Sequence, residues 1–411
     1  MAKRHRRFRR GIATLAVAAV GVAAVWALSC RPPGPATPAP AGLTTPEGRP
    51  RPVRVLLVRT SGRVRLAVRG PYTISTLENP GRRLASGAAM PPTDAYATDH
   101  ALVVGRRHFP DSELELSAER EGAIEVNGRR YRGKMVLRRD GARGLAVVNV
   151  LGLDAYLYGV LASEVYPSWP AAALEAQAIV ARSYAMWRMA QRREKAYDLV
   201  ATSADQNYRG MANEDPRIRA AVDRTAGVVL LFHMRLFRCY YHSTCGGQTE
   251  AVENFFPEPP LLPLSGVPCG YCKGSKFYRW RREFTARELA DALRRAGYSV
   301  PTLQAIELGR RSASGRVLEV RLQVGGGRWI TLRAGRFRRA IGGRRLPSTL
   351  FTVRRTARGF VFEGRGFGHG VGLCQWGARG MAKAGWSASE ILRHYYPGAE
   401  LVRLYKGRDS V

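Results

Sequence analysis

The spacing of apolar residues changes abruptly near residue 152. Between residues 53 and 150, apolar and polar residues alternate in short runs such as VRVLLV and GRVRLAVRG, a pattern typical of strands with one buried face. Asn127-Gly128, between two such runs, indicates a tight hairpin turn. After residue 152, apolar residues recur every three or four positions, as in amphipathic helices. We therefore predict an α+β fold, with a β-rich body and a central Ala-rich helical segment.

The first predicted helix lies in LDAYLYGVLASEV. Leu157, Val160, Leu161 and Glu164 have the spacing i, i+3, i+4 and i+7, which places them on one helical face. Glu164 therefore shares the apolar stripe instead of the solvated face. We expect Asp154 to cap the start of this helix.

An Ala-rich helix is predicted to follow. Pro167 should end the first helix, and Ser168 should cap the second, which carries a proline in its first turn. Its many alanines favour close packing against a neighbour, and Gln177, Arg182 and Tyr184 project from it. Farther along, residues 200–265 look like loops and strands.

A third helix is predicted within FTARELADALRRA, residues 284–296. Thr285 should cap it, because Glu288 follows three positions later, as in a capping box. Strand-like runs resume after this helix, and a glycine-rich segment closes the chain.

The N-terminus combines a basic start with a long apolar run. We predict that residues 1–30 are a signal peptide or membrane anchor and that the Pro-rich residues 31–52 form an extended linker. Cys30 is a candidate for lipid attachment, and cleavage of the signal is left open. The body is thus expected to be exported and to lie in the cell envelope, outside the cytoplasmic membrane.

The chain carries 66 Lys and Arg against 32 Asp and Glu, a formal net charge of +34. Such an excess favours an anionic partner, namely a nucleic acid, a membrane surface or an acidic wall polymer. Export argues against nucleic acid and for the envelope. Arg-rich coding is the alternative explanation.

Glu164 is the strongest candidate for chemistry. Burial among apolar side chains raises the pKa of a carboxyl, because the charged form loses its hydration. A carboxyl that is protonated near neutral pH can donate its proton to a glycosidic oxygen. A structural salt bridge to an arginine such as Arg182 is the alternative.

Two loops supply further candidates. His242 lies in YYHSTCGGQTE, where it could contact substrate, bind metal or simply stabilise a turn. The glycine-rich GRGFGHGVGLCQWGARG holds His369, Gln375 and Trp376. These side chains suit sugar recognition, since an indole stacks on a pyranose face and the polar groups bond hydroxyls. Tight packing is the alternative role of the glycines.

The cysteines leave three alternatives open. His242 and Cys245 form one close pair and Cys269 and Cys272 another, a spacing compatible with tetrahedral zinc. In an exported protein, a disulfide from Cys245 to Cys269 or Cys272 is equally reasonable, and free thiols are the third alternative. Were His242 a zinc ligand, it would not be a free base. The six cysteines are Cys30, Cys239, Cys245, Cys269, Cys272 and Cys374.

Three segments carry a family resemblance. LDAYLYGVLASEVYPSWPAAALEAQAIVARSYA, YHSTCGGQTE and GRGFGHGVGLCQWGARGMAKAGWSASEILRHYYPG resemble, in that order, the motif blocks of the stage II sporulation protein D and amidase-enhancer family. The resemblance runs from about residue 53 to about residue 402. It implies that residues 151–411 form a catalytic core that ends in the glycine-rich motif, in which the central helical segment carries the catalytic Glu and the substrate groove lies between the motif loops.

The resemblance implies peptidoglycan chemistry. Family members are similar to lytic transglycosylases that act on glycan strands without stem peptides, and their catalytic Glu matches Glu164. Arg182, His242 and Gln375 match other motif positions. No cofactor is expected beyond a structural zinc as one alternative. The residues expected to contact substrate are Gln177, Arg182, Tyr184, His242, Glu250, His369, Gln375 and Trp376.

The sequence departs from the family pattern at its cysteines. Cys245 and Cys374 stand where many members have Ser. Cys269 and Cys272 do not align with the zinc cysteines known in the family. The expected metal ligands, His242, Cys245, Cys269 and Cys272, therefore follow from spacing and not from the resemblance.

A single acid fits the implied reaction. A hydrolase normally uses two carboxyls, whereas a lytic transglycosylase can use one. Glu250 and Asp205 leave hydrolysis open. The expected partners are glycan strands, an amidase and, through the N-terminus, the membrane, but no nucleic acid. The main alternative is a non-catalytic wall-binding protein that stimulates an N-acetylmuramoyl-L-alanine amidase. A third hypothesis is an envelope protein that only binds polyanions.

Overall fold

A computed structural model describes residue 43 and residues 49–77, 82–119 and 122–406. The predicted signal or anchor of residues 1–30, Cys30 and most of the predicted linker lie outside these residues. Among the helices of the described ranges, none combines the length and the apolar character needed to cross a bilayer.

The N-terminal part is a β structure, as predicted. Alternating residues of its strands are buried; Val55, Leu66, Leu114 and Val147, for example, all lie in one apolar core. The described strands here are β1 (Val53–Thr60), β2 (Val64–Val68), β3 (Tyr72–Thr76), β4 (Arg83–Gly87), β5 (Met90–Ala97), β6 (Leu102–Val104), β7 (Arg107–Phe109), β8 (Glu113–Ala118), β9 (Ile124–Val126), β10 (Arg129–Tyr131), β11 (Lys134–Arg139) and β12 (Leu145–Leu151).

These strands form two sheets. One has the order β10-β9-β2-β5-β6-β7, and the other has β13-β1-β12-β11-β8-β3-β4, where β13 (Leu199–Val200) pairs in parallel with β1. β9 and β10 are joined by the predicted turn, in which Asn127 and Gly128 both have positive φ, 50° and 77°. Two successive positive φ values are the signature of the hairpin turn that Asn-Gly favours.

Eight helices lie within the described ranges, and the central pair is Ala-rich as predicted. The helices are α1 (Leu153–Glu164), α2 (Ala171–Gln191), α3 (Pro216–Arg224), α4 (Val252–Phe255), α5 (Ala286–Arg295), α6 (Ala334–Ile341), α7 (Gln375–Lys383) and α8 (Ala388–Tyr395), with 3₁₀ turns at Leu262–Leu264 and Gly325–Gly327.

Two expected helix caps are wrong. Gly152, and not Asp154, precedes α1, because the Asp154 carboxylate forms an ion pair with Arg182 instead. Pro170, and not Ser168, precedes α2; a proline needs no N–H partner and its fixed φ suits a helix start. The third expected cap is confirmed, since Thr285 and Glu288 exchange both capping-box bonds at α5.

Around α2 lies a second core that joins distant parts of the chain. β14 (Val228–Phe232) pairs with β15 (Arg235–Leu236) and with β24 (Glu400–Arg403). β16 (Tyr241–His242) pairs in parallel with β23 (Leu373–Cys374). This short pair brings the segment around His242 beside the glycine-rich segment, although about 130 residues separate them.

Between these two segments the chain forms a unit with its own apolar core. Leu289, Leu293, Phe337 and Phe362 are buried together in it. The expected core of residues 151–411 thus contains an inserted subdomain. Its strands are β17 (Trp280–Phe284), β18 (Leu303–Leu308), β19 (Glu319–Val324), β20 (Arg328–Arg333), β21 (Phe351–Thr356) and β22 (Gly359–Gly364), in two three-stranded sheets accompanied by α5 and α6.

Candidate active site

Glu164 is the last residue of α1. Leu157, Val160 and Leu161 on the same face are fully buried, as the helical spacing predicts, and Glu164 is partly buried at the end of their stripe. The helix ends here because Val165 is extended, and its N–H donates to the carbonyl of Leu161. The Glu164 carboxyl group therefore lies at the edge of the apolar core, where the helix ends.

A polar loop after β13 holds this carboxyl. The backbone N–H of Asn207 and its side-chain Nδ2 both donate to Oε1 of Glu164, at 3.1 and 2.9 Å. The loop lies tightly on α1 because Gly159 has no side chain; a Cβ there would lie 2.4 Å from the carbonyl oxygen of Gly210. Asn207 thus donates two hydrogen bonds to one carboxyl oxygen of Glu164, and the close packing of its loop on α1 holds it in place.

Burial raises the pKa of Glu164, since the charged form loses hydration. The bonds from Asn207 and the nearby side chain of Gln375 act in the opposite direction, but they do not cancel the effect. The position at a helix C-terminus also disfavours a negative charge. None of the ion pairs within the described ranges includes Glu164, so these effects together shift the carboxyl toward its protonated form.

Arg182 is a structural residue. Its side chain is fully buried, and the guanidinium pairs with Asp154 at 3.0 Å. Neither the expected substrate contact of Arg182 nor a salt bridge to Glu164 agrees with these surroundings. Its other acceptors are the hydroxyls of Tyr405 and Thr225 and the carbonyls of Val222 and Val228.

Gln177 and Gln375 meet beside Glu164. Gln375 begins α7, and its Nε2 donates to Oε1 of Gln177 on α2 at 3.5 Å. Both amides are buried, and the Nε2 of Gln177 has no partner among the described residues. The glycine-rich segment and the helical segment therefore contribute to one polar group.

An aromatic wall stands next to this group. The ring of Trp376 contacts that of Trp169 at 5.5 Å, and Trp169 contacts Tyr166 at 5.9 Å between centroids. The Arg379 guanidinium lies 4.9 Å from the Trp376 ring. Tyr166 is 59% exposed and Trp376 partly so. Exposed aromatic faces beside an acid suit a sugar chain.

Tyr184 and Asp205 belong to a separate buried network. The Tyr184 hydroxyl donates to Asp205 at 2.9 Å, and the carboxylate also pairs with Arg188 at 2.9 Å and accepts from the N–H of Val200. Burial raises the pKa of Tyr184 to about 12. With its oxygens committed, Asp205 cannot act as the second acid, and the expected substrate contact of Tyr184 does not agree with its burial.

His242 and His369 form another group. Their rings lie 5.5 Å apart, and Nδ1 of His242 is 3.0 Å from the carbonyl of Val371. Burial, with a contribution from Arg316, lowers the pKa of His242 to about 3, and burial also lowers that of His369. Both imidazoles are therefore neutral, and they share no described hydrogen-bond partner with Glu164.

Glu250 is likewise committed. One carboxyl oxygen accepts from the hydroxyls of Ser312 and Ser314 at 2.5 and 2.8 Å, and the other from Asn254 at 3.0 Å. Only 3% of Glu250 is exposed. It connects the His242 segment to the inserted subdomain and is not placed to activate water at Glu164.

Sequence comparisons assign this chain to a known family. Residues 142–232 match the SpoIID family, described as stage II sporulation protein, and residues 270–372 match a domain of unknown function. An uncharacterised protein of Brachyspira hyodysenteriae is 32% identical over 346 residues, which cover 82% of the chain and 90% of that relative. The chain belongs to the stage II sporulation protein D and amidase-enhancer family.

Named relatives agree with this assignment. Stage II sporulation protein D of Bacillus subtilis is 29% identical over 276 residues, 62% of this chain and 75% of that protein. The amidase enhancer of the same species is 26% identical over 288 residues, 60% of this chain and 40% of that protein. The family is associated with cell-wall remodelling. In this member, α1 and its loop fall within the matched SpoIID region.

The cysteines of this SpoIID-family chain do not form the expected metal set. The structure brings Cys374, and not His242, to Cys245, Cys269 and Cys272, and all four sulfurs lie within 4.8 Å of one another. His242 is held by Val371 instead. None of the five described cysteines forms a disulfide, and Cys239 lies apart from the other four.

Sequence reasoning missed three residues around Glu164. Asn207 lies in the polar run SADQNYRG, where the only signal was its place between a strand and a glycine. Tyr166 and Trp169 flank Pro167 directly after the acid. Their proximity to Glu164 in the sequence was the available signal, but their stacking with Trp376 depends on the packing of α7.

Proposed function

We propose that this protein is a lytic transglycosylase that cleaves the bond between N-acetylmuramic acid and N-acetylglucosamine in peptidoglycan strands. The observation that carries the proposal is the setting of Glu164. This partly buried acid has a raised pKa and is held through one oxygen by Asn207. Along the chain it shortly precedes Tyr166 and Trp169, which form the aromatic wall with Trp376.

In the first step, Glu164 donates its proton to the glycosidic oxygen. The bond from that oxygen to C1 of the muramic sugar breaks, and N-acetylglucosamine leaves with a free 4-hydroxyl. The raised pKa favours this step because it increases the fraction of molecules in which the acid is protonated before substrate arrives. Trp376 would support the sugar ring by stacking, and Gln375 would orient the carboxyl.

In the second step, the Glu164 carboxylate accepts the proton of the muramic C6 hydroxyl. O6 then bonds to C1, which gives a 1,6-anhydro end and returns the acid to its protonated form. No water is consumed. The bonds from Asn207 stabilise the carboxylate between the two steps, so one residue serves as acid and then as base.

The engagement of both candidate second carboxyls supports this route over hydrolysis. Hydrolases place a second carboxyl near the first, to guide water or to attack the sugar. Asp205 is bound to Tyr184 and Arg188, and Glu250 is bound to serine hydroxyls. Neither candidate from the sequence is therefore free to play that part.

Charge supports strands without stem peptides as substrate. Such strands keep a free lactyl carboxylate on every muramic sugar, and the chain carries a net charge of +34. Opposite charges raise the rate of encounter with the polymer. Arg379, next to Trp376, is one cation at the wall itself. Such a substrate agrees with an envelope location, which the family also suggests.

Digestion of denuded strands in ¹⁸O-labelled water tests the reaction. We expect mass spectrometry to find 1,6-anhydro ends without heavy oxygen, whereas a hydrolase would place ¹⁸O at each new reducing end. Glu164→Gln should lower the rate about 10²-fold or more. Glu253→Gln, which changes an exposed carboxyl, is the matched control and should behave as wild type.

Two results would contradict the proposal. One is product formation by Glu164→Gln at the wild-type rate, which would refute the catalytic assignment. The other is heavy oxygen at the new ends, which would identify a hydrolase.

A non-catalytic wall-binding protein that stimulates an N-acetylmuramoyl-L-alanine amidase is the second candidate. The similarity to a protein named amidase enhancer favours it. It would be supported if neither wild type nor Glu164→Gln cleaved glycan, while both accelerated the release of stem peptides by an added amidase.

A further inference from the structure

Four buried cysteines from three separate segments meet at one point. Cys245 follows β16, Cys269 and Cys272 lie in the following loop, and Cys374 ends β23. Each is at most 2% exposed, and their four sulfurs all lie within 4.8 Å of one another. Thiols from positions up to 129 residues apart have converged, so the arrangement depends on the tertiary fold.

The sulfur spacing fits a tetrahedral ion. With zinc–sulfur bonds of about 2.3 Å, the edges of the tetrahedron are about 3.8 Å long. The Cys245 and Cys272 sulfurs are 3.5 Å apart, and the other pairs stay below 4.8 Å. Disulfides would need bonds of about 2.05 Å between two separate pairs, whereas here all four sulfurs lie within 4.8 Å of one another and none is disulfide-bonded.

Hydrogen-bond donors already surround the sulfurs. Cys374 accepts from the N–H groups of Cys245 and Gly377 at 3.2 and 3.3 Å, and Cys245 accepts from the N–H of Gly247 at 3.4 Å. The Tyr395 hydroxyl is 3.0 Å from the sulfur of Cys269. Metal-bound thiolates are stabilised by donors of this kind, whereas a neutral apolar thiol cluster would not require them.

A buried cation completes the surroundings. Arg316 is 1% exposed, donates to the carbonyl of Cys245 at 2.5 Å, and has no ion pair within the described ranges. Four thiolates around a divalent ion carry a net charge of −2. An arginine beside them offsets part of that charge in a place that water does not reach.

We propose that Cys245, Cys269, Cys272 and Cys374 bind one zinc ion in a closed site. Four protein ligands leave no position for water or substrate, which is the arrangement of structural zinc sites. Soft thiolates in tetrahedral geometry select zinc over the oxygen-binding cations. His242 is not a ligand, and the ion takes no part in the chemistry at Glu164.

The ion fixes the start of α7. Gln375 and Trp376 follow Cys374 directly, and Gln375 adjoins the Glu164 carboxyl. Zinc would therefore join the His242 segment, the CGYC loop and the glycine-rich segment, and hold the amide and the indole at the acid. The zinc site does not rest on the proposed function, because metal content is measured without substrate.

Metal analysis of the full-length chain, purified without added metal, is the first test. We expect one zinc per chain in native mass spectrometry and elemental analysis. Cys374→Ser and Cys272→Ser should lower the zinc content to well under half. Cys239→Ser is the matched control, because Cys239 is equally buried but lies apart from the cluster; it should retain the full zinc content.

Cobalt exchange keeps the test independent of whether the variants fold. Wild type with Co²⁺ in place of zinc should show intense thiolate-to-cobalt absorption and the visible bands of a tetrahedral ion. Weak octahedral bands, iron in place of zinc, loss of two hydrogens per disulfide in the intact mass, or four titratable thiols without metal would each overturn the proposal. Zinc in a chain whose Glu164→Gln variant is fully active would refute the proposed function alone.

Discussion

At the scale of single residues, the site depends on which protonation state Glu164 prefers. Burial and the end of α1 favour the protonated acid, whereas Asn207 favours the carboxylate. In the proposed reaction Glu164 serves first as acid and then as base, which requires such opposition because neither state can be too stable. Removing one of these opposing contributions should therefore shift the pKa of Glu164, and with it the pH dependence of activity, in a known direction.

Asn207→Ala removes the side-chain bond that stabilises the carboxylate and leaves the backbone N–H in place. The pKa of Glu164 should rise further, so the alkaline limb of kcat/KM, which reports the free enzyme, should move to higher pH. Asn254→Ala is the control, because that amide bonds Glu250 instead. A limb that stays in place while the rate falls uniformly would contradict this role for Asn207.

Glu164→Gln should stabilise the folded protein at neutral pH. The pKa of Glu164 lies above its ordinary value of 4.5 in the folded state, so the stability that its protonated form provides is present below that value and is lost as pH rises through the folded pKa. Glutamine carries no charge to desolvate. We expect its Tm to exceed that of wild type by roughly 1–4 °C at pH 8, and to match it at pH 4. A lower Tm at pH 8 would contradict the expected burial cost.

At the scale of secondary-structure elements, α1 and the loop after β13 act as one unit. Gln206 is held by Tyr156 on α1, and it donates to the carbonyl of Ala181 on α2 and to the hydroxyl of Tyr241 on β16. The next residue, Asn207, reaches Glu164. Contacts with α1, α2 and β16 therefore set the position of Asn207. These contacts require the loop backbone to approach α1 closely.

Gly159→Ala should separate α1 from this loop. The added Cβ would lie 2.4 Å from the Gly210 carbonyl oxygen and 2.7 Å from the Tyr208 ring. We expect a loss of about 1–3 kcal/mol in urea unfolding, together with lower activity, because Asn207 moves with the loop. Gly152→Ala, which meets no atom within 4 Å, is the matched control. Equal stability of the two variants would show that the loop can yield.

Across the whole molecule, sequence patterns correctly predicted the features that depend on interactions between residues close together in the chain. Alternation identified the strands of residues 53–150, and the Thr285 capping box was correct because its bonds lie within one turn. The Asp154 cap failed because a long-range ion pair with Arg182 took its carboxylate. Cys374 was missed as a partner of the other cysteines because the pairing of β16 with β23, invisible to periodicity, brings it there.

Charge is also a property of the whole chain. We expect binding to denuded glycan to weaken by roughly an order of magnitude between low and physiological salt, because screening reduces attraction to the lactyl carboxylates. Glycan whose carboxyl groups have been chemically reduced is the control, and its binding should be weaker and insensitive to salt. The measurement is co-sedimentation at graded salt; salt-independent binding to native glycan would contradict the expectation.

The pairing of β16 with β23 has a consequence for incomplete chains. Glu164 is made early, but the strand that delivers Gln375 and Trp376 comes from the last tenth of the sequence. A fragment that stops before residue 373 carries the acid without its neighbours, and a chain emerging N-terminus first cannot assemble them until nearly all of it is out. Unfinished or truncated molecules would therefore lack the proposed glycan-cleaving activity.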